Sequence, residues 1–350
     1  PASPDPGVLI ERVDIRMGGN LVESITEYAR TNELFTKLVM SPAKKLNMHQ
    51  LGFGTKVPTA SAVPYYDSAG NHVAETVAAN DNTRIFWKLN LSGLLSQHRW
   101  LPLFALSGNG ISINMFLAPF ADSLVKNGSS NSMTYELSDV QAKCRMCTID
   151  DQLMNAYQEQ LLSGAALRIP FKKVESIYNY IPSSSSNNFD VALSRNYTRL
   201  ASLWATFARE PAEDGTRMLC NTFYVPSDLV TQEKLSYYLQ MGTKRIPDQD
   251  SEGFKEAWWR LLNCIGIAGS LSHANGITAQ DYKDNSFTIA VDTEKIAHLA
   301  SSGENLSNTS TLFLKFKNVG VSASDLPSRV HLVAQFDAIA EVRSTTVELF

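Results

Sequence analysis

Apolar and polar residues alternate along most of this chain, interrupted by three stretches of helical period. Val8, Ile10, Val13, Ile15 and Met17 recur at near two-residue spacing, which predicts a strand over 7–17. Leu21, Ile25, Tyr28, Ala29, Leu34, Leu38 and Val39 then follow a 3.6-residue repeat. They predict a helix over 20–40, with Asn20 as its cap and Pro42 just past its end. Residues 41–82 read as one long loop, punctuated by Gly52, Gly54, Pro58, Pro64 and Gly70; a loop of that length inside a compact domain usually serves a function. Strand patterns dominate afterwards. Ile85, Trp87 and Leu89 alternate over 83–91, and 101–106 with 111–117 read as a hairpin across the turn cluster Ser107-Gly108-Asn109-Gly110. Residues 133–149 form a long alternating strand whose phase shifts near Asp139, the mark of a bulge or of two strands.

A second helix follows, capped by Asp150 or Asp151, with Leu153, Met154, Tyr157, Leu161 and Leu162 on one face and Gly164 just past its end. Strand patterns resume at 167–180, 189–193, 200–207, 219–225 and 235–246, with a polar turn at 183–188. A third helix over 252–265 carries Phe254, Trp258, Leu261 and Leu262 on one face and ends at Gly266. Strands at 286–291, 311–316 and 329–349 finish the chain, the last with a break near Asp337.

More than a dozen short strands without βαβ alternation disfavour a doubly wound α/β fold and fit an all-β sandwich with a few short helices. One jelly roll needs eight strands and about 150 to 180 residues, and 350 residues are close to twice that. The halves also end alike. Each runs from a strand through a loop to a short apolar strand and then to a long strand broken at an aspartate, Asp139 or Asp337. The expected organisation is two jelly rolls in one chain. The first spans 1–150 with helix 20–40 and loop 41–82. A connecting helix occupies 151–165, and the second jelly roll spans 166–350 with helix 252–265.

Composition narrows the function classes. A hydrophobic content of 44% excludes a long disordered chain, and a net charge of −4 excludes a basic nucleic-acid binder as a whole-chain reading. Charged residues make up 19%, below the roughly 25% of ordinary globular domains; Ser, Thr and Asn take their place and suit strands, turns and protein–protein surfaces. No apolar run reaches the roughly 18 to 20 residues of a membrane span. The four cysteines, Cys144, Cys147, Cys220 and Cys264, are too few and scattered for a disulfide framework and suit a reducing compartment. Zinc binding at Cys144-x-x-Cys147 would need a second pair, and a redox pair should open a helix. Glycosylation motifs at Asn90, Asn127, Asn196, Asn305 and Asn308 carry meaning only in a secreted protein.

Catalytic patterns are missing. There is no phosphate-cradling P-loop and no Gly-x-Ser-x-Gly elbow. His49, His72, His98, His273, His298 and His331 are not paired at metal-clip spacing. Adjacent Asp150 and Asp151 point apart on a helix, so capping is their role. Trp258-Trp259 invites a sugar-stacking reading, but on a helix one indole can face the core and the other a subunit interface, and that is the arrangement expected. Tyr65-Tyr66 and Tyr237-Tyr238 need no ligand, and Lys44-Lys45, Lys172-Lys173 and Lys244-Arg245 are isolated pairs. No catalytic residue, cofactor site or metal site is predicted. Carboxylates brought together from distant strands, as in sandwich glycosidases, remain the one catalytic arrangement this pattern leaves open.

Trp100-Leu101-Pro102-Leu103-Phe104-Ala105-Leu106, followed by Ile111-Ser112-Ile113-Asn114-Met115-Phe116, resembles a stretch in major capsid proteins of the double jelly-roll viruses. The helix that opens at Asp150-Asp151 and ends at Gln160-Leu161-Leu162 follows in the same order. Phe287-Thr288-Ile289-Ala290-Val291-Asp292, Leu312-Phe313-Leu314-Lys315-Phe316 and 330–342 are similar to the family's last strands. The resemblance covers 100–160 and 230–350; 41–82 and 183–235 lie outside it. It implies a coat subunit that forms homotrimers, each presenting six jelly rolls as a pseudo-hexagonal tile of an icosahedral shell. Further expectations follow: a structural, non-enzymatic role in the virion after assembly inside the host cell, contacts with minor capsid or penton proteins, and no sequence-specific nucleic-acid binding. The helices at 20–40, 151–163 and 252–265, with loop 41–82, are expected to supply intersubunit surface.

Two other classes compete. A single jelly-roll coat protein of a small icosahedral virus, with a projecting insertion, often carries a basic N-terminal arm; the chain begins at Pro1, and a run of Arg and Lys ahead of it would favour that reading. A carbohydrate-binding or carbohydrate-active β-sandwich draws support from the tryptophans and scattered carboxylates alone.

Overall fold

The computed structural model describes residues 3–53, 82–97, 100–106, 110–124, 134–182, 187–193, 197–209, 223–226, 234–270, 276–294, 303–306, 312–320, 325–343 and 346–350. Most of loop 41–82 with Tyr65-Tyr66, His72, His98, His273, His298, Cys220, Asn127, Asn196, Asn308, the turn residues 107–109 and 183–186, and 219–222 lie outside the described residues.

The second half winds eight strands into two facing sheets. In chain order they are β4 (Leu167–Tyr180), β5 (Phe189–Leu193), β6 (Leu200–Ala208), β7 (Ser236–Met241), β8 (Lys244–Glu252), β9 (Ile289–Asp292), β10 (Leu312–Lys317) and β11 (Arg329–Val342). The first pairs with the eighth, the second with the seventh, the third with the sixth and the fourth with the fifth, all antiparallel. Further pairing of β11 with β6 and of β10 with β7 closes the sheets β4-β11-β6-β9 and β5-β10-β7-β8. That nesting is a complete jelly roll. Its interior holds Leu203, Phe207, Leu239, Leu314, Phe316, Val330 and Leu332, with Phe207 edge-on to Phe316 across the sheets at 5.3 Å. All nine residues of β6 are buried, because both faces of this strand are covered, which is why it reads as a nearly continuous apolar run.

The first half contributes a three-stranded sheet in the order β2-β1-β3, formed by β1 (Ile10–Met17), β2 (Asn20–Ile25) and β3 (Ile111–Leu117). Its core gathers Val13, Ile15, Met17, Val22 and Ile25 with Leu94, Leu106, Phe171, Ala338 and Val342. The helices are α1 (Tyr28–Val39), α2 (Pro42–Leu51), α3 (Gly93–Ser96), α4 (Phe120–Ser123), α5 (Asp151–Leu162), α6 (Gly253–Ile265) and α7 (Ala279–Asn285). None of the described helices is long and apolar enough to cross a membrane.

Several elements differ from the sequence pattern for identifiable reasons. The helix expected over 20–40 is a strand followed by a shorter helix. Gly18 and Gly19 take φ of 58° and 88° and make the two-residue hairpin that sends Asn20 back along β1. Val22 and Ile25 therefore face the core while Leu21 is exposed, so the spacing of Leu21 with Ile25 is not a helical stripe. Pro42 stands just past the end of α1, as expected, and also opens α2, as the first helical turn tolerates proline. The expected 101–106 strand is a 3-10 turn at Leu103–Ala105, and β3 pairs with β1 instead. Among the described residues, 83–90 and 134–149 form no ladder, and the phase shift at Asp139 is a single left-handed residue with φ 51°. The 235–246 pattern is the β7–β8 hairpin turning at Gly242. Only isolated bridges form at Phe223 and Tyr224. The final strand breaks after Val342, where β12 (Val347–Leu349) folds back on β11; at 335/336 only the register against β6 shifts. The unforeseen α7 is fixed by a capping box between Thr278 and Asp281.

Gly93 marks where α3 meets β4: a Cβ there would stand 1.7 Å from Lys172 O, a backbone atom that cannot swing aside. Gly93→Ala is expected to lower the unfolding free energy by roughly 1–3 kcal/mol in chemical denaturation. Gly269→Ala, whose Cβ meets nothing within 4 Å, leaves the midpoint in place.

Candidate assembly surface and the polar seam beneath it

Helix α1 is buried nearly all round. Tyr28, Leu34 and Leu38 are buried as their spacing predicts, but so are Arg30, Thr31, Asn32, Glu33, Thr36 and Lys37. The helix lies between the two cores. Tyr28 belongs to the first, edge-on to Trp87 at 5.5 Å, whereas Leu34 and Leu38 belong to the second. Phe35 packs against both and stands 5.5 Å from Trp204.

Polar groups so placed need partners. Arg30 donates to Phe207 O at 2.9 Å and lies over the Phe223 ring at 4.8 Å. Lys37 Nζ stands 3.4 Å from both the backbone oxygen and Oδ1 of Asn285. From α2, Lys45 Nζ donates to Lys37 O at 2.7 Å and Gly276 O at 3.1 Å. The Ser3 hydroxyl donates to the Glu33 carboxylate, and Asp5 Oδ1 accepts the Gly7 N–H at 2.7 Å. Thr31 Oγ1 lies 3.4 Å from His331 Nε2. These bonds tie the N-terminal segment, α1 and α2 to the second jelly roll.

Burial sets the protonation of this seam. It pushes the Glu33 carboxyl up to about 7, helped by the Asp5 charge and opposed by the Ser3 hydrogen bond. Burial brings Lys37 down to about 7 and Lys45 to about 8, each against the attraction of Glu33. Desolvation, with Arg30 nearby, holds the His331 imidazole well below its ordinary value and therefore neutral. A smaller cluster repeats the theme. Buried Glu23 accepts the Ser92 hydroxyl, the Gly93 N–H at 3.0 Å and the Leu94 N–H at 3.3 Å, fixing the start of α3. None of these charges was legible as buried in the sequence; the i, i+4 spacing of Glu33 and Lys37 was the available signal.

Strand β3 and its surroundings have the opposite character. Trp100, Ile113, Met115, Phe116, Leu117 and Phe120 are exposed, and β3 has no buried residue; Ile113 and Met115 stand opposite Ile15 and Val13 on the core side of the sheet, and Phe116 stands opposite Arg12 on the other side. Val140 and Met146 (72% exposed) on 134–149 are exposed as well. Only Leu161 is buried on α5, and Leu162 is 81% exposed. Helix α5 thus presents exposed faces, while α1 is buried nearly all round.

The remaining sequence candidates are structural in their surroundings. Asp150 caps α5 through the Gln152 N–H at 3.3 Å. Cys144 and Cys147 are exposed free thiols on an extended segment. Trp258 packs on Tyr282 at 4.8 Å, and Trp259 is 55% exposed. Tyr237 is buried, and Tyr238 lies under Arg245 at 3.9 Å. Lys45 is buried beside exposed Lys44, Lys172 pairs with Glu294 at 2.9 Å, and Lys244 pairs with Glu304 at 3.2 Å. Among the described residues no three His, Cys, Asp or Glu side chains gather as a metal site would require.

No protein-family model matches the chain, and no curated protein does. Solved structures do. PBCV-1 VP54, in a structure fitted into a cryo-EM reconstruction of the virophage Sputnik, aligns over 99% of this chain and 84% of its own, with a TM-score of 0.59 and 12% identity. The Faustovirus major capsid protein aligns over 98% of this chain and 72% of its own, with a TM-score of 0.59 and 10% identity. A quasi-atomic model of the PBCV-1 virus capsid gives a TM-score of 0.55 at 12% identity, over 99% of this chain and 85% of that one. At such low identity the likeness is one of fold: the chain has the double jelly-roll architecture of viral major capsid proteins.

The seam makes a pH-dependent prediction. Lys37 is depressed from its ordinary 10.5 to about 7 in the fold. Between those values the unfolded chain holds a proton that the folded chain lacks, so this lysine makes stability rise with pH. Glu33 has the other sign: its contribution is full below its ordinary 4.5 and is lost as the pH rises to about 7. Lys37→Met is expected to be as stable as the wild type or more so near neutrality. Urea unfolding at about pH 7.5 and about pH 9.5 should show the wild type gaining stability and the variant gaining less, by up to about 1.4 kcal/mol per pH unit. Equal gains in both proteins would contradict the buried position of this ammonium.

Proposed function

We propose that this chain is the major coat subunit of an icosahedral virus, acting by self-assembly, as homotrimers, into the shell of the virion. The observation that carries the reading is the full-length double jelly-roll likeness, which spans 99% of the chain. The exposed apolar side chains of β3 and α5 support it, because apolar side chains left uncovered on a folded protein mark interaction surfaces. We read the chain as two sandwiches, 1–150 and 166–350, joined through the helix at 151–165. A trimer then sets six sandwiches around a threefold axis and closes without open-ended growth. Weaker contacts between trimers tile the shell, and minor capsid or penton proteins fill sites the trimer does not. The role is structural and non-enzymatic, with assembly inside the host cell. A single jelly roll with an insertion would leave half of the aligned length without a counterpart.

Sedimentation velocity at micromolar concentration tests the trimer. The wild type is expected to run at three times the monomer mass. The double variant Leu153→Glu with Leu162→Glu, at exposed positions of α5, is expected to run as a monomer with an unchanged melting temperature. A wild type that stays monomeric would overturn the assembly reading.

A further inference from the structure

The fold gathers basic side chains that lie apart in the sequence. Along 83–90, Trp87 and Leu89 pack against the first core, while Arg84, Phe86 and Lys88 are exposed. That alternation sets the three exposed side chains in one row. The Phe86 N–H donates to Leu51 O, at the end of α2, at 2.7 Å, which anchors the row. The segment 134–149 comes up beside it. Lys143 Nζ stands 5.2 Å from the centre of the Phe86 ring, and the Arg84 guanidinium carbon stands 5.6 Å from it. The ring itself is 49% exposed. Arg145, two positions beyond Lys143, is exposed as well.

These charges are uncompensated. No Asp or Glu occurs in 83–90 or in 140–149. The carboxylates that flank the second stretch bond within their own segments: Asp139 accepts Gln141 Nε2 at 2.8 Å, and Asp150 caps α5. Among the described residues, Arg84, Lys88, Lys143 and Arg145 form no salt bridge. On β8 and β10, by contrast, Lys244, Arg245, Lys315 and Lys317 each hold a carboxylate. The whole chain carries a net charge of −4, so four unpaired cations around one exposed ring are a local feature of this surface.

The combination of cations with a ring selects the partner. A plain polyanion needs the charges alone. A bilayer needs aliphatic side chains beside them, but the exposed Val140 and Met146 occupy positions that alternate with Lys143 and Arg145 along their segment, on its other row. A single nucleic-acid strand offers phosphates to the cations and a base face to the ring. We propose that the row Arg84, Phe86 and Lys88, with Lys143 and Arg145, binds single-stranded nucleic acid without regard to its sequence. The surface includes neither α5 nor the buried seam, and it does not rest on the coat reading.

Fluorescence anisotropy of the full chain with a labelled oligothymidylate, titrated with salt, tests it. Four phosphate contacts to a single strand predict that the logarithm of the binding constant falls against that of salt with a slope of about −3. Arg84→Gln with Lys143→Gln is expected to reduce the slope to about −1.5. Phe86→Ala is expected to weaken binding about fivefold or more at an unchanged slope. Lys244→Gln, which removes a lysine already paired with Glu304, is expected to change neither. All the substituted side chains are exposed, and the melting temperatures are expected to match the wild type. Absence of binding at low salt, a slope that survives the double variant, or binding indifferent to Phe86→Ala overturns the proposal. So does capture by vesicles of phosphatidylserine and phosphatidylcholine, lost in the double variant, with no binding of the oligonucleotide. None of these results bears on whether the protein forms trimers.

Discussion

The antiparallel ladder between β4 and β11 is the constraint on which the rest of the structure depends. It runs through fourteen residue pairs and passes from one core to the other. Ile169, Phe171, Ala338, Ala340 and Val342 pack in the first core, whereas Val174, Val330, Leu332 and Val333 pack in the second. The buried positions of β4 change from odd to even numbers between Phe171 and Val174, so the strand changes the face it buries as it crosses. Two cores that share a ladder cannot separate without breaking backbone hydrogen bonds in both. Helix α1 lies across this junction and meets side chains from either side, which is why its polar residues are as buried as its apolar ones. The charges there do not supply most of the stability, since burying ion pairs costs about as much as their attraction returns. They fix which groups meet, because Arg30, Lys37 and Lys45 each find backbone oxygens from one arrangement of the halves.

Against this buried interior, strand β3 is under-covered. Its apolar side chains would be costly on an isolated molecule, since each exposed one forgoes about 25 cal/mol per Å² of transfer free energy. In the proposed shell the same side chains would pack against neighbouring copies, and the low charge of the chain would help, because fewer ions would be stripped of water as copies met.

How much of this the sequence disclosed depended on whether local pattern or distant contact decided each element. Strands at 167–180, 189–193 and 200–207 were legible because sandwich strands write their two faces, or their double burial, directly into the residue order. Helix α5 was legible from Asp150 at one end and Gly164 at the other. The hairpin at Gly18-Gly19 was missed because two glycines at positive φ leave an accidental helical spacing on either side. The β7–β8 turn was missed for a related reason: Gly242 interrupts a run that stays apolar and aromatic up to Met241. Segments 83–90 and 134–149 alternate like strands yet pair in no ladder among the described residues, so alternation alone does not make one. The seam was invisible because the burial of Glu33 and Lys37 follows from what packs over them. Of the Trp258-Trp259 pair, the division into an inward and an outward indole was legible.

The central claim is that two jelly rolls in one chain make a tile. Negative-stain electron microscopy of the purified protein tests it most directly. The account predicts six-lobed particles of hexagonal outline, alone or joined into sheets and shells. A field of isolated small globules at every concentration tried would contradict it.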